Sequence, residues 1–259
     1  MVMNHGESAA PAEENGARNL ARARSMAALS DISSVSATST RSRSRISDVV
    51  YDELSEAIRD LRLPPGAALS EPGVAASLGV SRAPVREAFT RLADQGLVTI
   101  RPQVGTTVAP IAMVEVNDAV FIRSALEQSA FQHAIRLEDL DVSELQGLVD
   151  RNRDAAARGD VEDFFQSDEE LHQLVFAIAG VPRIWQVVRG AKIHLDRLRR
   201  LNVGGALANP EIPAEHQHIV DAIRLRDEPA GLTVIHRHST RILGDTEKIR
   251  LEHPDYFTS

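Results

Sequence analysis

The stretch of sequence that decides the fold of the N-terminal part runs from residue 78 to residue 89 and reads LGVSRAPVREAF. Gly79 breaks one helical pattern, and Ser81 is a residue type that caps the start of the next helix. On a helical wheel that starts at Arg82, the apolar side chains gather on one side, and these are Val85, Ala88, Phe89 and Leu92. The stretch therefore predicts two helices that meet at a sharp turn, with the second helix buried along one face.

Helical patterns also precede this stretch. One begins after Ser47, a residue type that caps helices, and ends at the Pro-Pro-Gly sequence of residues 64–66. A second, shorter one begins after Ser70 and carries proline in its first turn, where proline is tolerated. Together with the helix after Ser81, the sequence predicts three helices in succession.

Two short β-like runs follow Gly96, at residues 97–101 and 106–109, and residues 102–105 form the turn between them. Three helices followed by a β-ribbon are the layout of a winged helix-turn-helix. In that fold a recognition helix enters the major groove of DNA. We therefore predict a DNA-binding domain at residues 45–110.

The predicted recognition helix carries polar side chains beside its buried face. Arg82, Arg86 and Thr90 form one stripe near its N-terminus, the part of such a helix that reads base edges. The arginine fork suits the two acceptors of guanine. The Ser81 hydroxyl is placed to bind a phosphate, and Gly105 allows the wing backbone to approach the duplex closely. The wheel alone leaves open that these arginines are ordinary exposed residues on a capped helix.

The distribution of charge bears on this prediction. The chain has a net charge of −8, but the excess of acid lies in residues 111–259, which carry 17 basic and 25 acidic residues. Residues 45–110 carry 7 basic and 8 acidic residues, so DNA binding there depends on a local arrangement of arginines rather than on bulk charge. Residues 1–44 are rich in Ala, Ser and Arg without a sustained period, which predicts a disordered tail.

Residues 111–250 show helical periodicity throughout and predict an all-α antiparallel bundle. The expected helices are Val114–Leu137, Val142–Arg158, Val161–Ala179, Pro182–Leu201, Pro213–Arg226 and Pro229–Arg250. Aromatic residues make up only 4% of the chain, which also favours packed helices over a β-sandwich. The fold class is therefore mainly α, and residues 251–259 are expected to form a C-terminal tail.

The composition excludes several classes of protein. The chain has no cysteine, so disulfide frameworks and cysteine-based zinc sites are excluded. No apolar run approaches the roughly 18 residues that a membrane-spanning helix needs. The first 45 residues lack the apolar segment of a secretory signal. We expect a cytoplasmic protein without a membrane partner, and any metal must be held by His, Asp or Glu.

Four residues of the helical part have side chains that suit a metal. Asp168 and His172 are four residues apart and share one helix face, although such a pair alone is common on exposed surfaces. His216 and His238 stand in two later helices, and bundles build metal sites from side chains that face inward on neighbouring helices. One carboxylate and three imidazoles suit Zn²⁺ best, with Ni²⁺ and Mn²⁺ as alternatives. The competing histidines expected on the surface or as filler are His194, His218 and His236.

The N-terminal half closely resembles the winged helix of the GntR superfamily. The resemblance rests on LGVSRAPVREAF at residues 78–89, on GLV at 96–98, and on the PPG and LSE sequences within residues 64–71. It implies that Arg82 and Arg86 contact operator DNA and that Gly105 is the glycine of the wing.

The C-terminal half resembles the FCD ligand-binding domain of FadR-like members of that superfamily. The matching features are DxxxH at residues 168–172, EHxxIxxAI at 215–223 and a final histidine at 238. They imply that Asp168, His172, His216 and His238 bind the metal. The RxxLE sequence at 123–127 also matches, which implies that Arg123 meets the carboxylate of an effector. A plain salt bridge from Arg123 to Glu127 stays open as the alternative.

These resemblances imply a homodimeric transcription regulator, expected to be a repressor rather than an enzyme. Two winged helices would read a pseudo-palindromic operator, and a small carboxylate would control the operator affinity. Two other functions stay open from the residues alone. One is a metal-dependent hydrolase that uses the three histidines and the aspartate to activate water. The other is a nucleoid-type DNA binder with little sequence preference.

Overall fold

The computed structural model describes residues 43–258, with side chains from residue 46 onward. The chain divides into two compact units, of which one ends at Pro110 and the other begins at Ile111. The predicted disordered tail lies outside the described residues, except that its last two residues, 43 and 44, already belong to the first described helix.

The first unit contains three helices and a small sheet. The helices are α1 (Arg43–Arg59), α2 (Glu71–Leu78) and α3 (Arg82–Asp94), and the strands are β1 (Ala68–Leu69), β2 (Val98–Arg101) and β3 (Gly105–Val108). β3 lies between β1 and β2 and is antiparallel to both. This is the predicted winged helix-turn-helix. β1 was not predicted, because two residues carry no readable alternation.

The starts of the helices follow the predicted caps only in part. The Ser70 hydroxyl accepts a hydrogen bond from the Gly73 N–H at 3.1 Å and so caps α2. Ser81 stands at the N-cap of α3 with extended backbone, but its hydroxyl makes no capping bond. Ser47 is not a cap, because α1 already begins at Arg43 and Ser47 is buried within the helix.

The turn between α2 and α3 depends on a glycine. Gly79 has a φ of 66°, in the left-handed region that other residues rarely adopt, and its N–H closes the last turn of α2. Leu54 of α1, Leu78 of α2 and Val85 of α3 are all fully buried. Apolar packing thus fixes the inner face of α3, the helix that the sequence predicts to read DNA.

The second unit is helical, as predicted. Its α-helices are α4 (Met113–Ala134), α5 (Ser143–Arg158), α6 (Val161–Ile178), α7 (Ile184–Ala191), α8 (Ile193–Leu201), α9 (Val203–Ala208), α10 (Glu211–Leu225), α11 (Glu228–Thr240) and α12 (Thr246–Glu252). Short 3-10 helices occupy Arg241–Asp245 and Pro254–Tyr256.

Two of the predicted long helices are interrupted. The segment 182–201 divides at Lys192, whose buried ammonium group donates hydrogen bonds to Glu169 and Asp196 at 2.6 and 2.7 Å. The segment 229–250 divides after Thr240, where a 3-10 helix separates α11 from α12.

The last residues do not form the tail that the sequence suggested. Phe257 is buried and pairs with Ile111 in an isolated parallel bridge. The Ile111 N–H donates to the Tyr256 carbonyl at 2.7 Å, and the Thr258 N–H donates to the Ile111 carbonyl at 3.1 Å. These contacts, together with the small apolar cluster around Ile249, hold the C-terminal residues against the start of the helical unit.

Candidate metal centre and DNA-reading helix

The outer face of α3 displays the side chains that the sequence assigned to DNA. Arg82, Arg86 and Thr90 are exposed, whereas Val85, Ala88, Phe89 and Leu92 on the inner face are buried. Gly105 begins β3 on the far side of the wing turn with a φ of 129°, a conformation that favours glycine. All of these residues lie where the prediction placed them, and their contact with DNA remains a prediction.

The structure adds two ion pairs that sequence reasoning did not identify. Arg86 binds Glu71 with both ends of the carboxylate, through Nε at 2.9 Å and Nη2 at 2.8 Å. The Arg86 guanidinium lowers the pKa of Glu71 through this contact. Arg91 points away from the stripe, pairs with Asp48 at 2.7 Å and lies over the ring of Tyr51.

The helical unit brings the four predicted metal ligands together. Asp168 and His172 come from α6, His216 from α10 and His238 from α11, and all four are buried. One nitrogen or oxygen atom of each lies within 4.8 Å of the corresponding atoms of the other three. The Nε2 atoms of His172 and His238 are 3.1 Å apart, and the Nε2 atom of His216 is 3.3 Å from Asp168 Oδ1.

The three imidazoles are oriented by partners behind them. His172 Nδ1 lies 3.3 Å from Glu127 Oε2, and His238 Nδ1 lies 3.3 Å from Glu215 Oε2. The Glu215 carboxylate accepts a hydrogen bond from the Nδ1–H of His238, so that ring presents the lone pair of Nε2 to the centre. Carboxylate–histidine pairs of this kind are the usual support for a metal-binding imidazole.

Asn152 plays the same part for His216. Its side-chain NH₂ group donates to the Phe164 carbonyl at 2.8 Å and to the Ser167 hydroxyl at 3.1 Å. These two bonds leave Asn152 Oδ1 as the acceptor that faces His216 Nδ1 at 3.2 Å. His216 therefore carries its proton on Nδ1 and presents a free Nε2 lone pair, which is the tautomer that binds a metal.

Among the four ligands, Asp168 and His216 each carry a buried atom without a hydrogen-bond partner. Asp168 Oδ2 accepts a hydrogen bond from Arg199 at 2.8 Å, but Oδ1 is buried without a hydrogen-bond partner, and so is His216 Nε2. An unpaired buried carboxylate oxygen is costly, and a cation that binds it removes the cost. The residues therefore fit a divalent metal through their chemistry and their orientation.

The protonation states also suit a cation. Burial lowers the pKa of His216, and burial lowers the pKa of His238 to about 3 although Glu215 opposes the shift. Burial raises the pKa of Asp168, but Arg199 and the neighbouring histidines outweigh burial and hold it well below its usual range. At neutral pH His216 and His238 are therefore neutral and Asp168 is ionised, the forms that bind metals.

Arg123 forms the salt bridge to Glu127 that the sequence left open as the alternative, and its contact with an effector stays a prediction. Its Nε donates to Glu127 at 2.7 Å, so the salt bridge within α4 is present. Its Nη2 also reaches the centre and lies 2.7 Å from His172 Nε2 and 3.1 Å from His238 Nε2. The guanidinium therefore stands at the centre while its other end is fixed by Glu127.

A small pocket, with a cavity volume of about 50 Å³, opens beside the centre. Arg123 and His238 line it together with Arg199 and Arg241. Ser239 also lines it, and the Ser239 hydroxyl is buried without a hydrogen-bond partner. The pocket thus joins the centre to cationic side chains and to one unused hydroxyl group.

The competing histidines lie elsewhere. His218 and His236 are exposed. His194 is buried, but its Nδ1 accepts a hydrogen bond from the Ala112 N–H at 3.2 Å, outside the centre. None of the three belongs to the cluster of four.

Comparisons with known proteins agree with these two units. The family described as "Bacterial regulatory proteins, gntR family" matches residues 46–108, and the FCD domain matches residues 118–241. A protein described as an uncharacterized HTH-type transcriptional regulator in an unstable DNA locus of Streptomyces ambofaciens is 37% identical over 212 residues, which are 81% of this chain and 89% of that protein. The chain belongs to the GntR family.

Further relatives agree with that assignment. The HTH-type transcriptional repressor RspR of Escherichia coli (strain K12) is 32% identical over 214 residues, which are 82% of this chain and 94% of RspR. The E. coli McbR/YncC structure has the same fold, with a TM-score of 0.66 at 21% identity over 78% of this chain and 97% of that one. This GntR protein is a DNA-binding transcription regulator, and these comparisons give no support to the hydrolase alternative. Across residues 43–258, no helix combines the length and apolar character that a membrane crossing requires.

Proposed function

We propose that this regulator is a homodimeric repressor whose affinity for operator DNA is controlled by a small carboxylate, bound beside a divalent metal in the FCD unit. The observation that carries the proposal is the convergence of Asp168 Oδ1 with three imidazoles on one buried point. Repression is favoured because RspR is named as a repressor, and so is a probable D-xylose utilization operon regulator of Paenarthrobacter nicotinovorans, which is 32% identical over 228 residues.

The donor set supports Zn²⁺ as the metal, with Ni²⁺ and Mn²⁺ as alternatives. Three nitrogen donors and one oxygen donor suit these ions, whereas Ca²⁺ and Mg²⁺ prefer oxygen alone. Asn152 and Glu215 hold the rings of His216 and His238 in place without an ion, and Glu127 lies beside His172. A bound ion would supply a Lewis-acidic position at which an effector oxygen attaches.

A small carboxylate is the effector that the pocket favours. Arg123 presents Nη2 to His172 and His238, so a carboxylate there would meet both the guanidinium and the metal. The Ser239 hydroxyl offers a further hydrogen bond to a polar ligand atom. Effector control requires that the ligand bind the DNA-binding and DNA-free states with different affinities.

Operator reading is assigned to α3. Arg82, Arg86 and Thr90 would contact base edges, while Ser81 and Gly105 would approach the phosphates. Two copies of the chain would present two such helices to a pseudo-palindromic site. A regulator of this kind acts on the chromosome, so the proposal places the protein in the cytoplasm.

The test of the metal centre is the metal content of the purified, tag-free, full-length protein by elemental mass spectrometry. We expect about one equivalent of zinc, nickel or manganese per subunit, because the four ligands form one site. His216→Ala should lose the metal. His218→Ala is the matched control, since His218 is exposed on the same helix, and it should keep the metal.

Absence of metal in the parent protein, even after incubation with each of the three ions, would overturn the metal centre. The effector would then have to be held by Arg123 and the pocket walls alone. A loss of metal in His218→Ala as large as that in His216→Ala would show that the assay reports general damage rather than the site.

A further inference from the structure

The contact between Glu71 and Arg86 joins the first turn of α2 to the recognition helix. The carboxylate takes two parallel hydrogen bonds, from Nε at 2.9 Å and from Nη2 at 2.8 Å. The Arg86 side chain is 70% exposed and the Glu71 side chain 29% exposed. Exposed ion pairs contribute little to stability, so stability gives no sufficient reason for this arrangement.

The geometry of the pair leaves one edge of the guanidinium free. Arginine has five N–H groups in a rigid plane, and the carboxylate uses one on Nε and one on Nη2. The other N–H of Nη2 and both on Nη1 remain, and they form the end of the fork. A guanine presents N7 and O6 side by side in the major groove, and the end of an arginine fork matches them.

We propose that Glu71 is a positioning residue for base recognition: it fixes the guanidinium plane of Arg86 so that the free end of the fork meets a guanine. The inference rests on the proposed reading of the operator by Arg86. Without Glu71, the long side chain would sample many rotamers and reach phosphates or other bases equally well. With Glu71, the arginine enters the groove already oriented.

Glu71 itself is well held. It is the first residue of α2, which Ser70 caps, and a carboxylate in the first turn of a helix is stabilised by the helix dipole. The left-handed turn at Gly79 fixes α2 relative to α3. The carboxylate therefore has a defined position against which the arginine is aligned.

The negative charge of Glu71 also has an unfavourable effect on DNA binding, which makes the proposal testable. A negative charge beside the DNA-reading helix repels phosphates and lowers the affinity for every sequence. A residue that lowers general affinity and aligns a reading group raises selectivity. The alternative interpretation is that the ion pair with Glu71 prevents Arg86 from contacting DNA.

The experiment uses the full-length protein and a duplex that the parent selects from a random-sequence DNA library. Affinities are measured for this duplex and for all single base-pair substitutions of it, at several salt concentrations. The variants are Glu71→Gln, Arg86→Ala and, as the matched control, Glu87→Gln. Glu87 neighbours Arg86 in sequence and is exposed, so its substitution changes the charge by the same amount without removing a hydrogen bond in the pair.

We expect the parent to prefer guanine at one position of each half-site by about fivefold to a hundredfold, the range of a good bidentate contact. Arg86→Ala should abolish that preference. Glu71→Gln should reduce it at least threefold at the same position only, while the affinity for unrelated DNA stays equal or rises. Glu87→Gln should keep the parent's preference.

Two results would overturn the inference while leaving operator reading by Arg86 intact. One is a Glu71→Gln variant with an unchanged guanine preference. The other is a uniform change of affinity at all positions, which would show that the carboxylate only blocks the arginine or repels DNA. If Arg86→Ala itself keeps the full preference profile, the proposed reading by Arg86 fails first. Circular dichroism checks folding, and Glu71→Asp, which keeps the charge but shortens the reach, replaces Glu71→Gln if that variant does not fold.

Discussion

The contact between α4 and α11 predicts an unusual response to a mild substitution, Gly231→Ala. Replacing a helical glycine by alanine normally stabilises a helix by about 1 kcal/mol. At Gly231 the added Cβ would lie 1.9 Å from Cζ of Phe131 and within 2.5 Å of two further ring atoms. Carbon atoms in contact stand about 3.5–4.0 Å apart, so the ring or the helix must move by about 1.5–2 Å.

The ring has little freedom to move, because Phe131 is fully buried in the main core of the helical unit. Forced overpacking of a core costs about 1–3 kcal/mol. The matched control is Gly147→Ala in α5, an exposed position where the new Cβ meets nothing within 4 Å. Both variants gain the same helix propensity, so the difference between them isolates the cost of the contact.

We expect Gly231→Ala to be about 1–3 kcal/mol less stable than Gly147→Ala, measured by thermal unfolding followed by circular dichroism. A difference of 1 kcal/mol corresponds to about 2–4 °C in Tm for a unit of this size. The displaced α11 also carries His238, so Gly231→Ala should bind metal more weakly than Gly147→Ala. Equal or higher stability of Gly231→Ala would refute the close packing of α4 and α11 and the reasoning built on it.

Two further predictions concern buried polar groups. Asn152→Leu removes the hydrogen-bond acceptor of His216 Nδ1, and loss of such a partner usually weakens metal binding about 10- to 100-fold. We expect a weakening of that size in a competitive chelator titration. Unchanged affinity would show that Asn152 does not orient the ring. Burial, together with the positive charge of Arg197, lowers the pKa of His194 from 6.5 to about 4. Between these pH values the unfolded chain therefore binds more protons than the folded chain. The free energy of unfolding then falls as the pH drops from 6.5 to 4. In EDTA, His194→Gln should therefore lose about 3 kcal/mol less stability than the parent over that pH range, measured by urea unfolding, and an identical loss in both proteins would contradict the assigned pKa.

The parts of the fold that the sequence predicted well are those with local signals. The joint of α2 and α3 needs a glycine at one position and a polar cap beside it, and both are visible in residues 78–81. The spacing of Asp168 and His172 places both side chains on one face of α6. Such features depend on neighbours within one or two turns, which a single sequence displays.

The missed features depend on partners that are distant in sequence. The helix break at Lys192 is hidden because the helical pattern continues through it, and the burial of that lysine depends on Glu169, 23 residues away in the chain. The last residues resembled a tail because the partner of Phe257 is Ile111, at the other end of the unit. No local periodicity reports such pairs.

The sequence does contain a signal for Asn152, the residue that supports His216. Leu145, Val149 and Asn152 follow one another at helical spacing along α5, and all three are buried. A polar side chain on an otherwise apolar stripe must find a hydrogen-bond partner inside the protein. Asn152 could therefore have been selected as a buried polar residue, although its partner His216 could not have been named from the sequence.

The electrostatics of the centre link the two halves of the proposed function. The buried acids around the histidines are already paired with arginines, and the pairs are Glu127–Arg123, Asp168–Arg199 and Glu215–Arg241. A divalent cation would add two positive charges to this balanced cluster, next to an arginine whose Nη2 lies 2.7 Å from His172 Nε2. An anion between the cation and Arg123 would relieve that repulsion, so metal and carboxylate should each raise the affinity for the other by the same factor. The metal and the effector are therefore proposed to share one site, in which the charge of each ligand compensates the charge of the other.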